Sequence, residues 1–225
     1  MEKSNIHEKI KLLTGNGMWH TQEVEDLPSV HLSDGPHGLR KQEEKERQNN
    51  VSLVSTCYPT ASALACSWDV TAAERLGRAV AKEAWNADVA VLLGPGINMK
   101  RSPLCGRNFE YFSEDPFLAG RLGAAYVSAA QGENVAVSLK HFAANNQETN
   151  RQTANSQIDE RALREIYLSA FEYVVKTARP ATIMASYNRL NGYYACENRH
   201  LLTEILREEW GFDGVVISDW GACAD

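Results

Sequence analysis

Eight side chains spread along the chain could do chemistry together if the fold gathered them: Asp34, Arg40, Arg107, Lys140, His141, Arg151, Tyr187 and Asp219. Each lies where a short apolar run gives way to polar residues, the strand ends at which α/β barrels and open parallel sheets keep their chemistry. Donors dominate the set. That balance suits a neutral, polyhydroxylated ligand with a carboxylate doing covalent or electrostatic work. It does not suit a metal centre, which wants several carboxylates or histidines converging. Neither Gly-x-Gly-x-x-Gly nor Gly-Lys-Ser/Thr occurs, so no nucleotide cofactor is expected.

The stretch that organises the rest is Gly214-Val215-Val216-Ile217-Ser218-Asp219-Trp220. Val215, Val216 and Ile217 read as a strand buried on both faces, delivering a carboxylate and an aromatic face at its C-terminal end. The competing reading of Asp219 is the N-cap of a following helix. Asp34, in Asp-Gly-Pro, reads either as an edge carboxylate or as an ordinary turn residue. Arg107 could fork onto a polar ligand, but its spacing favours a pair with Glu110 or Glu114. Tyr187 is either core or part of a polar mouth beside Ser186 and Asn188.

Positioning these residues takes an alternation of strands and helices. Strands are predicted at 28–32, 60–66, 88–93, 135–139, 181–188 and 215–217, the second being a weak, small-residue run. Helices are predicted from Ile6, from an Asp69 cap to Trp85, from Pro116 to Ala129, from Asp159 towards Pro180, and over 198–210. This rhythm predicts a parallel sheet with right-handed crossovers. Residues 41–50 read as a solvated charged loop. The long loop 97–115 is too rich in aromatics and arginines to be disordered.

Composition narrows the partners. At 225 residues, 44% hydrophobic and 23% charged, the chain has material for one large core. A net charge of -6 leaves no footprint for nucleic acid and disfavours an anionic membrane surface. The polar N-terminus, the lack of a long apolar run, and five dispersed cysteines that read as reduced thiols together suggest a cytoplasmic protein.

Five segments then carry a resemblance: Ser33-Asp34-Gly35-Pro36-His37-Gly38-Leu39-Arg40, Gly106-Arg107-Asn108-Phe109-Glu110-Tyr111-Phe112-Ser113-Glu114-Asp115-Pro116, Lys140-His141-Phe142-Ala143-Ala144-Asn145-Asn146-Gln147-Glu148, Ala185-Ser186-Tyr187-Asn188 and Gly214 to Trp220. In this order they resemble the N-terminal catalytic domain of glycoside hydrolase family 3, in its β-glucosidase branch. The resemblance implies an α/β fold, a (β/α)8 TIM-barrel-like domain over 1–225. With six strand candidates, where a closed barrel needs about eight, it would be incomplete and truncated at its C-terminus. It implies a retaining β-glucosidase acting on a small β-glucoside or oligosaccharide, with xylose and arabinose left open, and Asp219 as nucleophile. Asp34, Arg40, Arg107, Lys140, His141, Arg151, Tyr187, Trp220 and, more weakly, Met184 would bind the terminal sugar. Tyr187 would touch the nucleophile, and Arg151 would help keep it ionised. Glu110, Glu114 and Glu148 are read as structural. The general acid/base would come from a C-terminal domain or a second chain. The alternative is a sugar-binding remnant without turnover.

Overall fold

The computed structural model describes residues 6–42 and 51–223. An exposed N-terminal helix, α1 (Ile6–Leu12), leads into a hairpin of β1 (Gly15–Asn16) and β2 (His20–Thr21). β3 (Leu32–Ser33) is followed by α2 (Ala61–Ala65), α3 (Val70–Asn86), β4 (Val91–Leu92), α4 (Pro116–Gln131) and β5 (Ala136–Phe142). After β6 (Asn155–Ser156) comes a helical segment from Glu160 to Ala178, then β7 (Thr182–Ala185), a small hairpin of β8 (Arg189–Leu190) and β9 (Tyr193–Tyr194), a helix at His200–Glu209, and β10 (Val215–Ser218).

One parallel sheet has the order β10-β7-β5-β4-β3. Each strand pairs with the next along the chain, and the order never reverses. That is the winding of a (β/α) barrel, whereas a doubly wound sheet would switch direction. Five parallel strands make a curled part-barrel, and every strand end that carries chemistry falls on one rim.

The helices form for local reasons. Asp69 accepts from Thr71 N at 2.8 Å to start α3, and Asp115 accepts from Phe117 N at 3.0 Å to start α4, with Pro116 at its first turn. α3 turns Ala73, Gly77, Val80, Ala81 and Ala84 inward. Gly77 is needed for a close approach, since a Cβ there would lie 2.5 Å from the backbone oxygen of Tyr126 in α4. Between helices and sheet lie Leu122, Val137, Leu139, Phe142, Phe171 and Ile183, each 0% exposed.

Three expectations are corrected. Residues 60–66 form no strand. Thr60 accepts from Ala63 N and caps the short helix α2, because alanines favour helix and the cap outweighs a weak apolar run. β10 is not buried on both faces either. Among the described residues it pairs only with β7, at the edge of the sheet, and Val215 is 59% exposed. The helices over 160–178 and 198–210 exist, but Leu163–Tyr167 and His200–Glu209 are wound as π-helix. Most of the charged stretch 41–50 lies outside the described residues.

Candidate active site

The rim holds a cleft of about 320 Å³, and all but one of the residues singled out from sequence line it: Asp34, Arg40, Arg107, Lys140, His141, Arg151, Met184, Asp219 and Trp220. They arrive from separate strands. Asp34 and Arg40 follow β3, Lys140 and His141 belong to β5, Met184 to β7, and Asp219 and Trp220 follow β10. Arg107 comes from the long loop 97–115, which is folded in by Ile97, Met99, Tyr111 and Phe112, none more than 3% exposed.

Asp219 is 8% exposed. Its backbone N–H donates to Ala185 O at 3.0 Å, so the edge pairing of β10 with β7 sets where the carboxylate stands. Oδ1 accepts from Trp220 N at 2.8 Å. Oδ2 is buried without a hydrogen-bond partner among the described residues and lies 3.6 Å from His141 Nε2. Burial raises the Asp219 pKa above its ordinary value. The Trp220 N–H, Arg107 and Lys140 pull the other way without cancelling it.

His141 is neutral at neutral pH, because burial and then the charges of Arg107, Lys140 and Arg151 push its pKa well down. Its Nδ1 lies 3.2 Å from the buried Tyr111 hydroxyl. When Tyr111 donates to Nδ1, the imidazole proton sits on Nε2, facing the open oxygen of Asp219. Asn98 fixes the backbone here: its side chain accepts from His141 N at 2.6 Å and donates to His141 O at 2.8 Å.

Lys140 Nζ is 2.9 Å from both Asp34 Oδ1 and Glu110 Oε1. Arg107 reaches Glu110 Oε2 at 2.6 Å through Nη2 and 2.7 Å through Nε. Two cations and two carboxylates therefore form one network, with Glu110 at its centre and only 4% exposed. Of the two partners that spacing allowed Arg107, the fold selects Glu110. Burial pushes the Asp34 carboxyl up, but the charge and hydrogen bond of Lys140 outweigh it and hold the pKa below normal.

Tyr187 stands beside the Asp219 carboxylate, behind the residues that line the cleft. Its hydroxyl donates to Trp220 O at 2.7 Å, and burial followed by the charge of Asp219 pushes its pKa up to about 12. Arg151 stacks 4.3 Å above the Tyr187 ring and pairs with Glu148 at 2.7 Å. Arg107 and Lys140 oppose the rise of the Asp219 pKa, and Arg151 is paired with Glu148. Sequence reasoning missed Trp19 and Phe109, which also line the cleft, and Asn98 and Tyr111 behind it. No spacing signal marks Trp19. Among the described residues, no three His, Cys, Asp or Glu side chains are placed to hold a metal ion, and no helix is long and apolar enough to cross a membrane.

A parallel part-barrel with a buried carboxylate and a donor network on its C-terminal rim has the layout of a barrel glycosidase. Residues 32–225 match the profile described as the glycosyl hydrolase family 3 N terminal domain, and the chain belongs to that family. It is 53% identical over 229 residues to thermostable beta-glucosidase B of Acetivibrio thermocellus, covering 100% of this chain and 30% of that protein. It is also 51% identical over 225 residues to an exo-alpha-(1->6)-L-arabinopyranosidase of Bifidobacterium longum, covering 98% of this chain and 30% of that one. Beta-glucosidase 3B from Thermotoga neapolitana, solved in complex with glucose, superposes with a TM-score of 0.92 at 42% identity, over 98% of this chain and 33% of that one. The chain thus spans about a third of the length of the relatives it matches.

Proposed function

We propose that this chain carries the sugar-binding and nucleophile-bearing part of a retaining β-glucosidase. The observation that carries the reading is the buried Oδ2 of Asp219, without a hydrogen-bond partner among the described residues, beside the Arg107–Lys140 network. With Oδ1 held by the Trp220 N–H, Oδ2 attacks the anomeric carbon as the bond to the leaving oxygen breaks. The resulting glycosyl ester on Asp219 is then hydrolysed by water. Asp34, whose Oδ1 accepts from Lys140, also accepts from hydroxyls remote from the reacting carbon. Lys140 and the neutral His141 donate to hydroxyls nearer it, Trp220 walls the ring, and Arg40 stands exposed at the rim.

Retaining hydrolysis needs a second carboxyl about 5 to 5.5 Å from the nucleophile to protonate the leaving oxygen. Of the other carboxylates in the cleft, Asp34 is held in its ionised form by Lys140, which unsuits it to give a proton, and both oxygens of Glu110 are taken up by Lys140 and Arg107. The acid/base therefore comes from a further domain or a second chain, consistent with relatives about three times longer.

The test follows from this division. A 2-deoxy-2-fluoro β-glucoside with a dinitrophenolate leaving group needs no proton donor for its first step, so the 225-residue chain should take up one fluoroglucosyl group, located by peptide mass spectrometry on Asp219. Label on another residue, or none at all, refutes the assignment. Ordinary alkyl β-glucosides should turn over negligibly, and robust turnover would refute the claim that the acid/base lies elsewhere.

A further inference from the structure

The rim of the cleft includes one segment that belongs to no strand of the parallel sheet. The β1–β2 hairpin precedes residue 32, where the family match begins, and it touches both edges of the part-barrel. On the β3 side, Leu32 N donates to Trp19 O at 2.7 Å. On the β10 side, Trp220 Nε1 donates to Met18 O at 2.9 Å. The hairpin is therefore a strap across the mouth, and it sets the Trp19 indole against Trp220, with ring centroids 5.4 Å apart and planes inclined at 42°.

The clasping is done by the main chain at residues 18 and 19, so the Trp19 side chain is not needed for it. The indole is instead oriented separately. Its Nε1 donates to Gln42 Oε1 at 3.0 Å, and the half-buried ring lines the same cleft as Asp219. Two inclined aromatic faces beside a carboxylate and a donor network offer what a pyranoside requires: apolar surface for its C–H face and polar groups for its hydroxyls.

We propose that Trp19 is a substrate-binding residue, which extends the aromatic wall of Trp220 beside it and packs against an apolar C–H face of a glycoside. The inference rests on the reading of the cleft as a glycoside site. It adds a contact supplied by a segment outside the family match.

The experiment is a footprint. The chain is oxidised with limiting N-bromosuccinimide, with and without saturating methyl β-D-glucopyranoside, and the modified tryptophans are located by peptide mass spectrometry. Sugar should protect Trp19 and Trp220 and leave Trp68 and Trp85, 73% and 59% exposed, reacting as before. Protection of Trp220 with Trp19 oxidised at an unchanged rate overturns this proposal and leaves the wider reading standing. Failure of the wild-type chain to bind the glucoside by calorimetry overturns both. In the same titration, Trp19→Ala should weaken binding by about 2- to 12-fold, the range of one aromatic contact. Trp19→Phe should restore most of it, and Trp85→Ala should change nothing. Equal affinity of wild type and Trp19→Ala refutes the contact.

Discussion

Removing the Glu110 carboxylate should cost more than any other single change to the site. Glu110 is 4% exposed and bridges Lys140 and Arg107 at 2.9 and 2.6 Å. In the wild type, two cations face two carboxylates and the network is neutral. With Glu110→Ala, Arg107 and Lys140 are left in a largely dry place with Asp34 as their remaining partner. Breaking a buried pair in this way costs about 3–5 kcal/mol, against about 0–1 for an exposed one. At about 2–4 °C per kcal/mol for a chain of this size, the melting temperature should fall by about 6–20 °C. Glu110→Gln keeps the shape but turns an amide N–H₂ towards one cation, so most of the loss should remain. A functional readout separates charge from packing. An uncompensated positive charge near Asp219 favours its ionised form, so the pH midpoint for fluoroglucosyl labelling should move down in Glu110→Gln. The assays are calorimetric melting and labelling rate against pH. A drop of less than about 3 °C would mean that the network is solvated and worth no more than a surface pair. An unmoved pH midpoint would mean that it does not reach the nucleophile.

Other outcomes follow from the same geometry. Burial raises the Asp219 pKa, so its ionised form weighs against the fold at pH values above that pKa, and the penalty disappears as the pH falls through it. Asp219→Asn should accordingly melt a few degrees higher at pH 7, as expected for about 1 kcal/mol, while abolishing labelling; a lower melting point would contradict the burial argument. Asp34 has the opposite sign. Its folded pKa lies below 3.8, so its contribution is full above that value and is lost as the pH falls through the folded pKa. Urea midpoints measured from pH 5 to pH 2 should decline less steeply in Asp34→Asn than in the wild type, and parallel curves would remove Asp34 from the acid response. Gly77→Ala should destabilise by about 1–3 kcal/mol, because its Cβ would meet Tyr126 O at 2.5 Å, and a neutral or stabilising result in chemical denaturation would show that α3 and α4 can move apart freely.

What the chain determined by itself was local. The Asp69 and Asp115 caps and the turn at Asn191-Gly192 act within a few residues, as does the passage from apolar run to polar tip at Asp34, Lys140 and Asp219, so these features were readable from types and spacing. Tertiary structure decided what depended on partners far along the chain. Val215 reads as a core residue, yet it lies exposed because its strand has one neighbour. The run at 60–66 became helix once Thr60 capped it. Arg107 paired with Glu110 and Arg151 with Glu148, choices that spacing alone left open. Trp19 reached the cleft only because a hairpin spanned 202 residues of sequence to meet Trp220, and no periodicity encodes a contact of that kind.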